Sequence, residues 1–287
     1  MNPVRACRIP AWRCPKTGSL LASVTALGLQ AQYATAVVDY RPGTGFSPGY
    51  TNAVSVLGMP SRSTPGDFGG PVDPFSPPYT RDQLVSIGTG GSLTLRWESP
   101  VKNASGNPFG LDFTVFGSTG FLMTNDFDAN WNPIGKPATD GSLFNPNSGT
   151  QRISVSKDGQ TWYALDPARS PKVDHYHPTD GSGDFGIPMS PSLLPAEFSG
   201  KTLEQIRELY RGSAGGASFD LAWAIDANGK PFDLSEASFL RIEVLSGKAD
   251  IDGLSMVSTV PEPRAWTLMA SALAGLGVWR ASTRRQP

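Results

Sequence analysis

Cysteine is nearly missing from this chain: of 287 residues only Cys7 and Cys14 carry a thiol. Both sit in an N-terminal segment with the character of a removable leader. The remainder therefore has no disulfide to staple it and must be held by a core. Histidine is equally scarce, confined to His175 and His177 in Asp174-His175-Tyr176-His177. On an extended strand both imidazoles would face one way and could share a metal ion, but no further His or Cys is at hand to complete the ligand set. A solvated loop is the plainer reading, and any Ser-His-acid triad would have to pass through these two residues, with no Gly-x-Ser-x-Gly elbow expected beside them. A phosphate loop is excluded as well. Ser199-Gly200-Lys201-Thr202 has its closing residues, yet Pro195 stands where the leading glycine belongs.

Charge of one sign is also lacking at the ends. Residues 1–36 hold Arg5, Arg8, Arg13 and Lys16 and no acid. The apolar stretch Leu20–Leu29 follows, and Ala34-Thr35-Ala36 closes the segment. Basic, apolar and small-x-small, in that order, are the parts of a secretory signal peptide, and Pro3, Pro10 and Pro15 disfavour a buried helix instead. Cleavage is expected between Ala36 and Val37. With the ends set aside, the middle holds 16 basic and 24 acidic residues, a net charge of −8. That surface excludes nucleic acid as a natural partner, since phosphate backbones need a basic footprint.

At the other end, Ala265–Trp279 is an uncharged run of fifteen residues bracketed by Arg264 and Arg280, with Arg284 and Arg285 beyond. As a helix it spans about 22 Å, short of a ~30 Å hydrocarbon layer, but arginines snorkelling at both ends narrow the gap. The basic end predicts a cytoplasmic C-terminus. Pro261-Glu262-Pro263, then a transmembrane helix, then a basic tail over 280–287 resembles the PEP-CTERM sorting signal of Gram-negative bacteria. Arg264 stands where Ser or Thr is frequent, and the basic end is interrupted. The resemblance implies that an exosortase, an integral membrane enzyme, recognises Pro261, Glu262 and Pro263. The precursor would be anchored in the inner membrane and then delivered to the cell surface or extracellular matrix.

The middle, residues 37–258, reads as β. Leu93, Leu95 and Trp97 alternate with Thr94, Arg96 and Glu98; Leu111, Phe113 and Val115 enclose Asp112 and Thr114. Ile153 and Val155 lead through Lys157-Asp158-Gly159 to Trp162-Tyr163, a hairpin pattern. Phe219, Leu221, Trp223 and Ile225 share one face of an expected strand that Asn228-Gly229 turns back, and Leu240, Ile242 and Val244 form another. One-sided strands suit antiparallel sheets with one wet face. A single short helix is expected over Thr202–Arg211, with Leu203, Ile206, Leu209 and Tyr210 on one side and Gly212 as its cap. The connections are long and rich in glycine and proline. The expected fold is thus mainly β, a single antiparallel β-sandwich with one short helix. The stretches GGSLTLRWESPV, PFGLDFTVFG, RISVSKDGQTWYAL, GGASFDLAWAIDANGKPFDL and FLRIEVLSGKADIDGL resemble a recurring exported bacterial domain without assigned activity. VSKDGQTWY is similar to a hairpin of discoidin-like, galactose-binding jelly rolls, which implies a jelly-roll-like sandwich.

Two acidic clusters have the oxygen spacing a calcium ion wants: Asp126, Asp128 and Asn130, and Asp180, Ser182 and Asp184. Turn chemistry explains both equally, because these residue types bond their own backbone in loops. No other cofactor is implied. The function expected is that of a non-enzymatic surface protein associated with extracellular polysaccharide. A carbohydrate-binding module using Trp131, Trp162 or Trp223, or a hydrolase with paired carboxylates, are the alternatives.

Overall fold

The computed structural model describes residues 32–258 apart from Trp131, and the chain over that range is mainly β. The expected leader up to position 31 and the expected sorting segment from position 259 onward, with Pro261, Glu262, Pro263 and Ala265–Trp279, lie outside the described residues. Among the described residues no helix is long and apolar enough to cross a membrane.

In chain order the principal strands are β1 (Ala34–Arg41), β2 (Val85–Gly88), β3 (Ser92–Lys102), β4 (Phe113–Gly117), β5 (Gln151–Ser156), β6 (Tyr163–Leu165), β7 (Ala217–Phe219), β8 (Ala224–Ile225), β9 (Glu236–Val244) and β10 (Lys248–Met256). Six of them form one antiparallel sheet in the spatial order β1-β3-β9-β5-β6-β8. The other four form a second, in the order β7-β4-β10-β2. The two sheets share one hydrophobic core.

Period-two alternation explains the larger sheet directly. Leu240 pairs with Leu95 on one side and Val155 on the other, and Ile242 pairs with Leu93 and Ile153. All six are buried, while Arg96 and Glu98 point out to solvent. In the smaller sheet Phe113 stacks on its cross-strand partner Phe219 at 5.2 Å between ring centroids, and across the core it meets the edge of Trp97 at 5.6 Å. The chain passes from β9 to β10, and so from one sheet to the other, through Leu245-Ser246-Gly247. Gly149 packs so closely on this corner that a Cβ there would lie 1.7 Å from the Ser246 carbonyl oxygen.

The smaller sheet departs from the expected one-sided pattern. Every residue of β4 is buried, as are positions 249–255 of β10. Its outer face is not wet because the long Gly/Pro-rich connections fold back over it. Tyr33, Phe116, Phe185 and Ala214 close one part of that cover. Helix α1 (Leu203–Tyr210) forms where expected and buries Ile206 and Tyr210 in a separate cluster with Phe121, Met189 and Phe198. Its first turn is closed by the Thr202 amide donating to Gln205 Oε1 at 3.0 Å. Its end is spread over two left-handed residues, Arg211 and Gly212, rather than the glycine alone.

The expected strand through Phe219 and Ile225 is interrupted. The Asp220 carboxylate accepts the Ala222 amide at 2.7 Å and caps a single 3-10 turn, Leu221–Trp223, which separates β7 in one sheet from β8 in the other. Local capping by aspartate overrides the apolar alternation here.

Ile242, fully buried between two strands, should cost about 2–5 kcal/mol when replaced by alanine. Val38, 54% exposed on β1, should cost no more than about 0.5 kcal/mol. Urea unfolding of Ile242→Ala and Val38→Ala checks both, and equal effects would contradict the burial of this face.

Candidate functional site

The strongest concentration of polar chemistry is built around the loop that carries both histidines. Asp174 and His177 take left-handed backbone conformations, with φ of 53° and 57°, so the chain turns twice within four residues. A non-glycine residue pays strain for that geometry unless its surroundings impose it. At Asp174 they do. Its Oδ1 accepts the Ser118 amide at 2.7 Å, the Thr119 amide at 2.8 Å and the Thr119 hydroxyl at 2.9 Å, and its Oδ2 accepts the Asp250 amide at 2.9 Å. Gly117 admits the carboxylate, since a Cβ there would lie 2.4 Å from Asp174 Oδ1. Burial and the nearby Asp250 charge push the Asp174 carboxyl up to about 6.

Because the segment turns, the histidines do not converge as they would on a strand. The His175 ring packs edge-on to Tyr176 at 4.2 Å, and its Nδ1 is buried without a hydrogen-bond partner among the described residues. The His177 ring lies between Phe198 and Tyr210, and its Nε2 is 3.2 Å from the Leu193 carbonyl oxygen. Burial lowers the pKa of both, with the Lys172 charge adding to the effect at His175.

Beside this loop opens a cavity of about 280 Å³, lined by Tyr176, His177, Met189, Arg169, Lys172 and Trp223 among others. The Arg169 guanidinium lies 5.3 Å from the Trp223 ring, a cation–π contact. Trp223 is half-buried: it packs against the main core, and the 3-10 turn that interrupts its strand also sets it on the cavity wall. Trp162 is occupied by the protein itself. Arg241 lies 3.9 Å from its ring, and its Nε1 donates to the Gly159 carbonyl at 3.2 Å. Trp131 lies outside the described residues.

The acidic clusters are used by the loops that contain them. Asp128 Oδ1 accepts the amides of Asn130 and Asn132 at 2.8 and 2.9 Å, and Asp126 and Asn130 are exposed beside it. Asp180 is buried and engaged by Arg207 Nε at 2.7 Å, by the Ser182 amide at 3.0 Å and by the Ser182 hydroxyl at 2.6 Å. Asp184 accepts the Gly186 amide at 2.8 Å. Asp128, Asp180 and Asp184 thus accept backbone amides of their own turns, Asp180 is also paired to Arg207, and among the described residues no group of three or more His, Cys, Asp or Glu is gathered as if around an ion.

A Gly-x-Ser-x-Gly stretch, not expected, is present in the chain. Gly45-Phe46-Ser47-Pro48-Gly49 has the Gly-x-Ser-x-Gly spacing of a nucleophile elbow. The structural context of an elbow is missing, because Ser47 does not sit between a strand and an α-helix: the preceding strand ends at Arg41 and only a single 3-10 turn, Ala53–Val56, comes next. Its hydroxyl accepts from Lys248 Nζ at 2.7 Å, and that ammonium is itself paired to Asp250 at 3.2 Å. Lys248 Nζ thus donates to both Ser47 and Asp250. Ala36 and Val37, the expected cleavage pair, lie inside β1, where Ala36 pairs with Arg96 and Val37 with Leu95.

No protein-family model matches the chain, and no curated protein matches it either.

Two further carboxyls share the character of Asp174. Asp112, expected to be wet, is buried and accepts the Leu221 and Ala104 amides and the Asn107 side chain, and burial pushes it up to about 6. Asp252 accepts the amide and hydroxyl of Ser61 at 2.8 and 2.7 Å, and burial pushes it up to about 7. A folded value above the ordinary one means that this carboxyl's contribution to stability is complete below about pH 4 and is lost as pH rises through about 7. Asp252→Asn removes that titration while keeping an acceptor for Ser61. Between pH 5 and pH 8 the stability of the variant relative to the parent should therefore rise by about 1–3 kcal/mol. Urea unfolding at both pH values measures this, and an unchanged difference would show that burial does not hold the proton on Asp252.

Proposed function

We propose that this is an exported, non-enzymatic protein of a Gram-negative cell surface or its exopolysaccharide matrix, sorted by an exosortase. Its β-domain is read as a jelly-roll-like sandwich that presents loops to the outside. The observation that carries the proposal is the linear order of parts. A basic and apolar leader precedes the β-domain, whose last strand, β10, ends at Met256, shortly before Pro261-Glu262-Pro263, an apolar run and a basic tail. The two apolar ends are thus left for the membrane steps. The buried acids are engaged by donors from the protein itself, which favours a structural over a catalytic use of them.

A second reading, a carbohydrate-binding module, is favoured by one observation. Trp223 and Tyr176 stand on the wall of a cavity that also holds the cations Arg169 and Lys172. Aromatic faces stack on sugar rings, and cations hold the carboxylates of acidic sugars. A glycan screen with the exported protein should then show acidic glycans bound, with a loss of tenfold or more, about 1.4 kcal/mol, in Trp223→Ala. No bound glycan, or equal binding by the variant, would remove this reading and leave the first intact.

The sorting reading is tested at the tail. Two prolines hold residues 261–263 extended, as a substrate in a cleft must be, and Glu262 adds a charge that an enzyme can read. Changing all three to alanine should leave membrane insertion intact but stop processing, so that precursor accumulates in the inner membrane. Deleting 265–287 should instead release a soluble periplasmic form. Fractionation and immunoblotting in a host with an exosortase separate these results. A triple-alanine protein that reaches the surface as the parent does would reduce the tail to an anchor.

A further inference from the structure

Residues 32–36 are part of the folded domain, although a small-x-small pattern places the end of the leader at Ala36. Ala34 is fully buried in the main core and pairs with Trp97 of β3, and its carbonyl accepts the Gly58 amide at 3.0 Å. Tyr33, one residue earlier, bridges to Ser255 of β10 and packs with Phe116, Phe185 and Ala214. Gln32 is fixed from both its backbone and its side chain. Its carbonyl accepts the Met256 amide at 2.8 Å, and its Nε2 donates to Ser255 Oγ at 2.8 Å.

The consequence is topological. Tyr33 bridges to the four-stranded sheet and Ala34 belongs to the six-stranded one, so this short stretch ties the two sheets together at the first residues of the domain. A cut between Ala36 and Val37 would remove that tie. It would also leave the Met256 amide and the Gly58 amide without their acceptors, and open a gap where Tyr33 and Ala34 pack. A leader peptidase acts on the emerging chain before it folds, so the fold does not block that cut; the shortened product simply lacks the pieces that complete it.

From this geometry we infer that the leader is processed at the Ala31–Gln32 bond, giving a mature chain that begins at Gln32. The inference rests on the export reading above. Ala31 stands directly before Gln32, which is bonded into the domain, and supplies the small side chain that the peptidase needs on the acyl side of the scissile bond; Leu29 stands two residues before it, where the Ala34-x-Ala36 pattern has alanine. Hydrolysis adds one water: the hydroxyl goes to the Ala31 carbonyl carbon, the C–N bond breaks, and the proton goes to the new amine of Gln32.

Mass spectrometry of the N-terminal peptide of the full chain exported by a Gram-negative host provides the test. The expected product begins at Gln32, with or without loss of ammonia from an N-terminal glutamine. Ala31→Gln should suppress that product, whereas Ala36→Gln should leave it unchanged. A start at Val37, abolished by Ala36→Gln, would overturn this inference and keep the export reading. A chain still beginning at Met1 would overturn both, and a start at any other position would overturn the assigned bond. The structural premise has its own check: deleting residues 32–36 behind the intact leader should lower the yield of folded exported protein several-fold. An undiminished yield would overturn it.

Discussion

A carboxylate buried against backbone amides is the interaction on which the outer layer of this protein depends. Asp174 gathers the amides of Ser118, Thr119 and Asp250, Asp112 those of Ala104 and Leu221, and Asp252 that of Ser61. Each joins chain segments that have little regular structure of their own to the four-stranded sheet or to its flanks. Irregular backbone cannot lie on a buried surface unless its amides find acceptors, and a side chain with two oxygens serves several at once. The price is desolvation, visible in carboxyls pushed up to about 6 or 7. Both cysteines, Cys7 and Cys14, lie outside residues 32–258, so no disulfide within that range shares this work.

The six-stranded sheet needs no such device. Its central strands β3 and β9 are long, their register is set by pairs such as Leu95 with Leu240, and its outer face carries charged residues in contact with water. Stability there comes from apolar area removed from solvent. The two sheets thus differ in what anchors them, and the polar anchoring is concentrated on the smaller one. The strained loop Asp174–His177 belongs to that anchoring, and the cavity walled by Trp223 and Tyr176 opens beside it. Four contacts to the Asp174 carboxylate thus fix the backbone that borders this cavity.

Much was legible in the sequence by itself. Period-two alternation marked β3, β5 and β9 and their buried faces, the apolar spacing marked α1, and the Asn228-Gly229 turn was recognisable from its residues. These are local signals, decided by side chains a few positions apart. The Gly-x-Ser-x-Gly stretch at 45–49 was equally local, and its lack of catalytic context was not. Only the tertiary structure decided that Asp112, Thr114, Asp250 and Asp252 are buried, because burial there comes from loops distant in the chain folding over the sheet. It also decided that His175 and His177 part company, since the turn between them is imposed by amides at 118, 119 and 250. Trp223 reached a cavity wall because Asp220 caps the preceding turn, and residues 32–36 joined the domain because their partners lie at 58, 97, 255 and 256. A pattern read along the chain carries no information about partners so far away, and those partners fix where these residues sit.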